Sequence, residues 1–311
     1  MGYDLMLGDC REKLRDVSDD SIALSVWSPP YFVGKQYEAD YSFEGWQDLI
    51  RSCITEHFRV LRPGAFLAVN IADILCFRDE SMPRIMATNL WRRSPVTRED
   101  VLKAYEENPG ANRYQIAEIL GCGEQTVDRR LNGNNIRGGK YEPQTRVQLV
   151  GGMVQDWASE AGLYLYDRRV WQKDAAWENS RWHTVSYRAV DEFEYVYLFW
   201  KPGQTTINRN RLSREEWVDW GSRAVWQIAS VRSNDDHEAK FPIELPRRLI
   251  RLLTEPGDSV MDCFLGSGTS GLAALQLKRN FIGIERDPNY FRAAAKKLRE
   301  AEKQAKRVLF M

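Results

Sequence analysis

The stretch Val260-Met261-Asp262-Cys263-Phe264-Leu265-Gly266-Ser267-Gly268-Thr269 decides the fold. Its start, Val260–Phe264, is apolar and short enough to be a buried strand, and Thr269–Leu277 has the pattern of a helix. Gly266 and Gly268 remove side chains from the turn between them. A strand, a glycine turn and a helix N-terminus together let a nucleotide-like ligand approach the backbone closely. Phe281–Glu285 reads as the next strand and ends in an acid 19 residues after Gly266. An acid at that place can accept both hydroxyls of a ribose. No Lys-Ser/Thr pair follows the glycines, which argues against a phosphate loop. A dinucleotide site competes on spacing alone, although its usual place is the start of a chain.

The same alternation recurs outward from this turn. Leu5–Leu7 is a short apolar run ending at Gly8-Asp9-Cys10. Ile22–Trp27 is another, and it stops at Ser28-Pro29-Pro30-Tyr31, because a proline pair cannot lie inside a central strand. Residues 44–61 place Trp46, Leu49, Ile50, Cys53, Ile54, Phe58 and Leu61 at helical steps. Arg62-Pro63-Gly64 should break that helix before a strand over Ala65–Ala72. Residues 151–162, Ile243–Leu253 and Asn289–Lys306 read as helices, and Leu163–Trp171 and Phe193–Trp200 as strands. This order predicts an α/β fold: a Rossmann-like, mostly parallel sheet with helices on both faces. Two polar stretches interrupt it, 92–145 and 204–236, and read as insertions. The scaffold is then divided into 1–91, 146–203 and 237–311, with the glycine turn in the last part.

Bulk properties narrow the class. The chain has 311 residues, 43% apolar and 28% charged, which suits a full core in a globular protein. No run approaches the length of a membrane span and the start lacks a signal peptide's apolar core, so a cytoplasmic location, without membrane, is expected. Lys and Arg equal Asp and Glu, which argues against a nonspecific polycation but leaves room for a local basic face. The five cysteines are scattered without a Cys-x-x-Cys pair, so buried thiols are expected rather than disulfides or a metal site. The eleven tryptophans suit either core or stacking platforms.

Ser28-Pro29-Pro30-Tyr31 and Asp262–Thr269, in this order, resemble the amino-methyltransferases of DNA, over roughly residues 3–90 and 146–300. The resemblance implies transfer of a methyl group from S-adenosyl-L-methionine to an exocyclic amine of a flipped base in double-stranded DNA. Such an amine is a poor nucleophile, because its lone pair is delocalised into the ring. Ser28 Oγ and the Pro29 carbonyl could accept its hydrogens and localise that pair, and the two prolines stiffen the turn that holds them. Tyr31 can stack on the extruded base. The turn holding Asp262, Phe264, Gly266, Ser267, Gly268 and Thr269 is similar to the one that binds the methionine end of the cofactor. Glu285 resembles the ribose acid, and Asp9, with Cys10 beside it, resembles the segment that meets the adenine amine. Phe241-Pro242 looks like the family's cofactor wall. Catalytic turn before cofactor turn resembles the β arrangement. Serine at the first motif position resembles the cytosine-N4 group, with adenine-N6 as the alternative. No Pro-Cys dipeptide of the carbon-5 enzymes occurs. A restriction endonuclease counterpart and a homodimer are both compatible with the resemblance.

Within the first insertion, Ala117, Gly121 and Val127 fall at helix-turn-helix spacing, with Ile116, Leu120 and Leu131 at the remaining core positions. The second helix, about 124–131, would present Glu124, Gln125, Asp128 and Arg129 to the major groove. Arg129, Arg130, Arg137, Lys140 and Arg146 stand against the single acid Glu142, which suits phosphate contact. This insertion departs from the family's layout, whose usual recognition region lies where 204–236 lies here. Arg209, Arg211 and Arg214 are the candidates there. Asn179–His183 borders the target pocket by the same resemblance, His183 as a positioning residue rather than a base. A competing reading of another class is a helix-turn-helix regulator on an inactive methyltransferase fold. The intact Ser28–Tyr31 and Asp262–Thr269 argue against it.

Overall fold

The computed structural model describes residues 2–32, 41–82, 94–132, 145–175, 189–231 and 241–309. The chain forms two compact units, residues 1–76 with 147–311, and residues 77–146.

The larger unit begins with β1 (Tyr3–Leu7), α1 (Cys10–Lys13), β2 (Ile22–Trp27), α2 (Phe43–Val60) and β3 (Leu61–Ile71). β4 (Ile74–Arg78) leads into the smaller unit, which carries α3 (Arg98–Glu107), α4 (Arg113–Ile119) and α5 (Glu124–Asn132). After β5 (Thr145–Gln148), which pairs with β4, come α6 (Gly151–Glu160), β6 (Tyr164–Gln172) and β7 (Phe193–Trp200). A short α7 (Arg214–Glu216) runs into a π-helical turn, and β8 (Val225–Gln227) follows. The last elements are α8 (Glu244–Leu253), β9 (Ser259–Asp262), α9 (Thr269–Gln276), β10 (Asn280–Glu285) and α10 (Pro288–Leu309).

Eight strands form one sheet in the order β1-β10-β9-β2-β3-β7-β6-β8. The first five are parallel, β7 is antiparallel to both β3 and β6, and β8 is parallel to β6. The expected mostly parallel, Rossmann-like sheet is present. β2 is buried at every position, as a central strand covered on both faces must be. The helix stops at Val60, just before Arg62-Pro63-Gly64, but the strand already begins at Leu61 rather than at Ala65. The ladder to β2 shifts register between Ile22 and Leu24, so Pro63 is absorbed in an irregularity. Gly64 is required there: it has φ 84°, and a Cβ would lie 2.1 Å from the Gln204 carbonyl oxygen.

Three tryptophans, Trp27, Trp46 and Trp226, are fully buried core residues. Between β2 and α2 lies a polar island. His57 Nδ1 bonds the Cys53 carbonyl (2.6 Å), so Nε2 is free to accept from Trp27 Nε1 (3.2 Å) and from the Ser25 hydroxyl (2.7 Å). Burial pushes the His57 pKa down to about 4. Cys10, Cys53 and Cys263 are buried free thiols, as expected, and Cys122 is half-buried.

The smaller unit has its own core of Val96, Val101, Ala104, Ile116, Ala117 and Val127, with Leu120, Leu131 and Cys122 packed against it. The starts of α3 and α4 are set by capping boxes, Thr97 with Asp100 and Asn112 with Gln115. Gly121, at φ 59°, makes the turn between α4 and α5.

Candidate active site

The chain runs outward from the centre of the sheet in two directions: β9 to β10 on one side, β2 to β3 on the other. The crevice outside the carboxyl ends of β9 and β2 is therefore a topological switch point, the usual ligand position in such sheets. The strand ends at this edge are Leu7, Trp27, Ile71, Asp262 and Glu285, so the Gly8-Asp9, Ser28–Tyr31 and Asp262–Thr269 turns all emerge there.

The glycine turn is held from below. Asp262 is buried, and its carboxyl accepts from the Phe264 amide (2.9 Å) and the Ser270 hydroxyl. Burial pushes its pKa up to about 7 against those hydrogen bonds. Glu285 Oε2 accepts from the Gly266 amide (2.7 Å) and Oε1 from the Asp287 amide (2.8 Å). Burial raises the Glu285 pKa, and no cation pairs with it among the described residues. Each oxygen keeps a lone pair, and such a carboxylate is stabilised by further donors. A ribose diol supplies two, so the residues present fit a nucleoside. Gly266 and Gly268 are both left-handed, at φ 53° and 82°. Gly268 serves packing rather than ligand approach: a Cβ on it would stand 3.0 Å from Ala294 Cβ. Ser267 is buried and accepts from Lys297 (3.3 Å), and Thr269 opens α9.

On the β1 side, Asp9 caps α1 through the Arg11 amide (2.9 Å) and is gripped by the Arg11 guanidinium (2.7 Å). That hydrogen bond from Arg11 holds the Asp9 pKa below its ordinary value, so its acceptors are partly committed. The Cys10 thiol is buried 3.2 Å from Cys53 Sγ, so only its backbone can face a ligand. Phe241 packs on the core beside α8, and the Pro242 carbonyl receives the Leu245 amide (3.0 Å). Phe264 meets Trp27 edge-on at 5.3 Å, which links the cofactor turn to β2.

The catalytic turn is anchored by Trp46, whose Nε1 donates to the Pro30 carbonyl (2.7 Å). Ser28 Oγ donates to Tyr31 Oη (2.8 Å), and Tyr31 Oη donates to Glu194 Oε2 (2.6 Å). Asn70 Nδ2 donates to Tyr31 Oη and to Glu194 Oε2, both at 2.7 Å. Lys173 Nζ bonds Glu194 Oε1 (2.8 Å) and Asp191 (3.0 Å). Burial works against the Lys173 charge, but the two carboxylates outweigh it and keep the ammonium above its ordinary pKa. Sequence reading did not single out Asn70, Lys173 or Glu194. The one signal was a polar residue inside an otherwise apolar strand, Asn70 in Ala65–Ala72 and Glu194 in Phe193–Trp200.

The nucleic-acid candidates divide. Arg209 lies over the Trp217 ring at 4.8 Å, and with Arg214 it lines a surface groove of about 490 Å³. Arg211 is a correction: its Nε bonds Glu255 (2.7 Å) and its Nη1 bonds the Leu252 carbonyl (3.1 Å), so it ties this segment to α8. In the smaller unit Gln125 and Arg129 are exposed on α5, and Arg129 reaches Gln125 at 3.4 Å. Arg130 is also a correction, because its Nε is spent on the Val96 carbonyl (2.8 Å). Glu124 is taken by Arg113 (2.6 Å), and Asp128 lies 3.9 Å from the same guanidinium. Arg137, Lys140 and Asn179–His183 lie outside the described residues.

Comparison with known proteins gives the same frame. The chain is 58% identical over 290 residues to the Type II methyltransferase M.BglI of Bacillus subtilis, covering 93% of this chain and 83% of that one. It is 32% identical to the Type II methyltransferase M.Cfr9I of Citrobacter freundii, covering 96% of this chain and 88% of that one. Two solved structures share the fold. TTHA0409 of Thermus thermophilus, complexed with S-adenosyl-L-methionine, has a TM-score of 0.62 at 23% identity, over 96% of this chain and 94% of that one. The cytosine-N4-specific PvuII DNA methyltransferase has a TM-score of 0.59 at 19% identity, over 98% and 92%. Residues 22–296 match the family N6_N4_Mtase, described as DNA methylase, and the chain belongs to that family.

Proposed function

We propose that this chain transfers a methyl group from S-adenosyl-L-methionine to the exocyclic N4 amine of a flipped cytosine in double-stranded DNA. The observation that carries this reading is the meeting of Ser28–Tyr31 and the Asp262–Glu285 cradle at one switch point. Bound there, S-adenosyl-L-methionine supplies an electrophilic methyl on a sulfonium. The Glu285 carboxylate would accept the ribose hydroxyls, and the glycine turn would hold the methionine end. Ser28 Oγ and the Pro29 carbonyl accept the amine's hydrogens and localise its lone pair, while Trp46 holds the turn rigid through Pro30. Tyr31 leaves its polar seat to stack on the base. Arg209 and Arg214 contact phosphates, and Gln125 with Arg129 reads base edges in the major groove.

Serine at position 28 favours cytosine-N4 over adenine-N6. The test is to methylate mixed-sequence duplex DNA, digest it to nucleosides and analyse them by mass spectrometry. N4-methylcytosine is expected, and N6-methyladenine in its place would reassign the base while keeping the site.

A further inference from the structure

Asn70 Nδ2 stands 2.7 Å from both Tyr31 Oη and Glu194 Oε2, and 3.5 Å from Ser28 Oγ. The amide keeps its nitrogen on this side although its Oδ1 is buried without a hydrogen-bond partner among the described residues. A buried unpaired acceptor is costly and calls for an explanation. Glu194 supplies the cause of the orientation. One of its oxygens pairs with the Lys173 ammonium, and the other accepts from Asn70. A carboxylate only accepts, so the amide must present its nitrogen. The Lys173 charge is itself held between Glu194 and Asp191. What stands beside Ser28 is therefore a neutral N–H donor of fixed direction.

An amide nitrogen carries two hydrogens. One of them goes to Glu194 and the other to Tyr31. When Tyr31 leaves to stack on the base, the second hydrogen loses its acceptor while Glu194 still holds the first. The target base offers a replacement. Its exocyclic amine and the adjacent ring nitrogen share one carbon, so a donor and an acceptor sit side by side on the edge of the ring. Ser28 Oγ and Asn70 Nδ2 form the complementary pair, an acceptor beside a donor. From this arrangement we infer that Asn70 reads the target base: its freed Nδ2 hydrogen is donated to cytosine N3 while Ser28 Oγ accepts from the N4 amine. Flipped bases are commonly read through hydrogen bonds to this edge. A neutral donor suits the reaction. A cationic one would draw the amine's lone pair further into the ring, whereas an amide orients the ring with little such pull. The inference rests on the proposed roles of Ser28 and Tyr31.

A cycle that pairs the Asn70 side chain with the ring nitrogen tests it. The methylated cytosine is first located by sequencing. A second duplex then carries 3-deazacytosine there, in which a C–H replaces N3 and the amine is kept. Single-turnover methyl transfer is measured on both duplexes with saturating S-adenosyl-L-methionine. Asn70→Leu should slow transfer to cytosine by about tenfold or more, and should slow transfer to 3-deazacytosine by no more than about twofold. The analogue's own reactivity cancels, because each variant is compared with the parent on the same duplex. The cofactor dissociation constant should stay within about twofold of the parent's, which shows that the variant is folded. Equal slowing on both duplexes would show that Asn70 acts without N3 and overturn the inference, as would an unchanged rate on cytosine. If Asn70→Leu does not fold, Asn70→Ala is read in the same cycle with the same outcomes. Ser28→Ala methylating cytosine at the parent rate would remove the underlying assignment of Ser28, and that is read without the analogue or any Asn70 variant.

Discussion

Tyr31 and Glu194 stand 163 positions apart in the chain, yet a 2.6 Å hydrogen bond joins them. Contacts of this kind decide what single substitutions do. Glu285→Ala removes the acceptor for the ribose and should weaken S-adenosyl-L-methionine binding by roughly 1.5–3 kcal/mol, the scale of hydrogen bonds to a charged acceptor. Calorimetry checks it, and an unchanged dissociation constant would take Glu285 out of the site. Ser28→Ala should lower the methyl-transfer rate more than it weakens DNA binding, because duplex affinity comes mostly from phosphates. Equal losses in the two quantities would point to a docking role. His57 gives a pH prediction. Its folded pKa, about 4, lies below the ordinary 6.5, so the unfolded chain takes up the extra proton between those values. The stabilising contribution of the neutral ring is complete above pH 6.5 and is lost as pH falls to 4, by about 3 kcal/mol. Asp262, pushed up to about 7, has the opposite sign: its contribution is lost as pH rises from 4 to 7. The difference between His57→Gln and the parent cancels the Asp262 part. Urea unfolding at a series of pH values should therefore show a shallower acid limb in the variant.

At the level of elements, two neighbouring arginines have different work. Arg211→Ala breaks the tie between the 204–231 segment and α8 and should lower the melting temperature. Arg214→Ala, exposed at the start of α7, should leave melting unchanged and weaken all duplexes alike, with a shallower salt dependence. Filter binding across a salt series separates the two. α5 is the other element to test. Replacing residues 124–131 with an alanine-rich helix that keeps Val127 and Leu131 should spare cofactor binding and abolish discrimination between cognate and random duplexes. Removing a good bidentate pairing to a base edge should cost about 1–3 kcal/mol. Full selectivity in the swapped enzyme would assign recognition to the segment holding Arg209 and Arg214.

For the whole molecule, the strand and helix alternation was legible in the sequence because each element carries its own local signature. Ile22–Trp27 and Phe193–Trp200 were read to the residue, and the helices 44–61 and 151–162 to within one or two, since apolar periodicity and Pro or Gly stops act within a few residues. The core of the helix-turn-helix was legible for the same reason: Ala117, Gly121 and Val127 lie within one short span. The two motif turns could be placed as well, because a chain that alternates strand and helix must bring parallel strand ends to one edge. What the sequence could not show is which side chains neutralise one another. Arg211 and Arg130 look like phosphate binders in a charge count. Only the packing of Glu255 beside one and of the Val96 carbonyl beside the other turns them inward. Asn70 and Glu194 meet Tyr31, and Lys173 meets Glu194, only because β7 runs antiparallel to β3 and β6 and delivers its first residues to the edge where theirs end. Local propensity is written within a few residues of chain. Electrostatic partnership falls off over a few ångströms of space, and only the tertiary fold sets those distances.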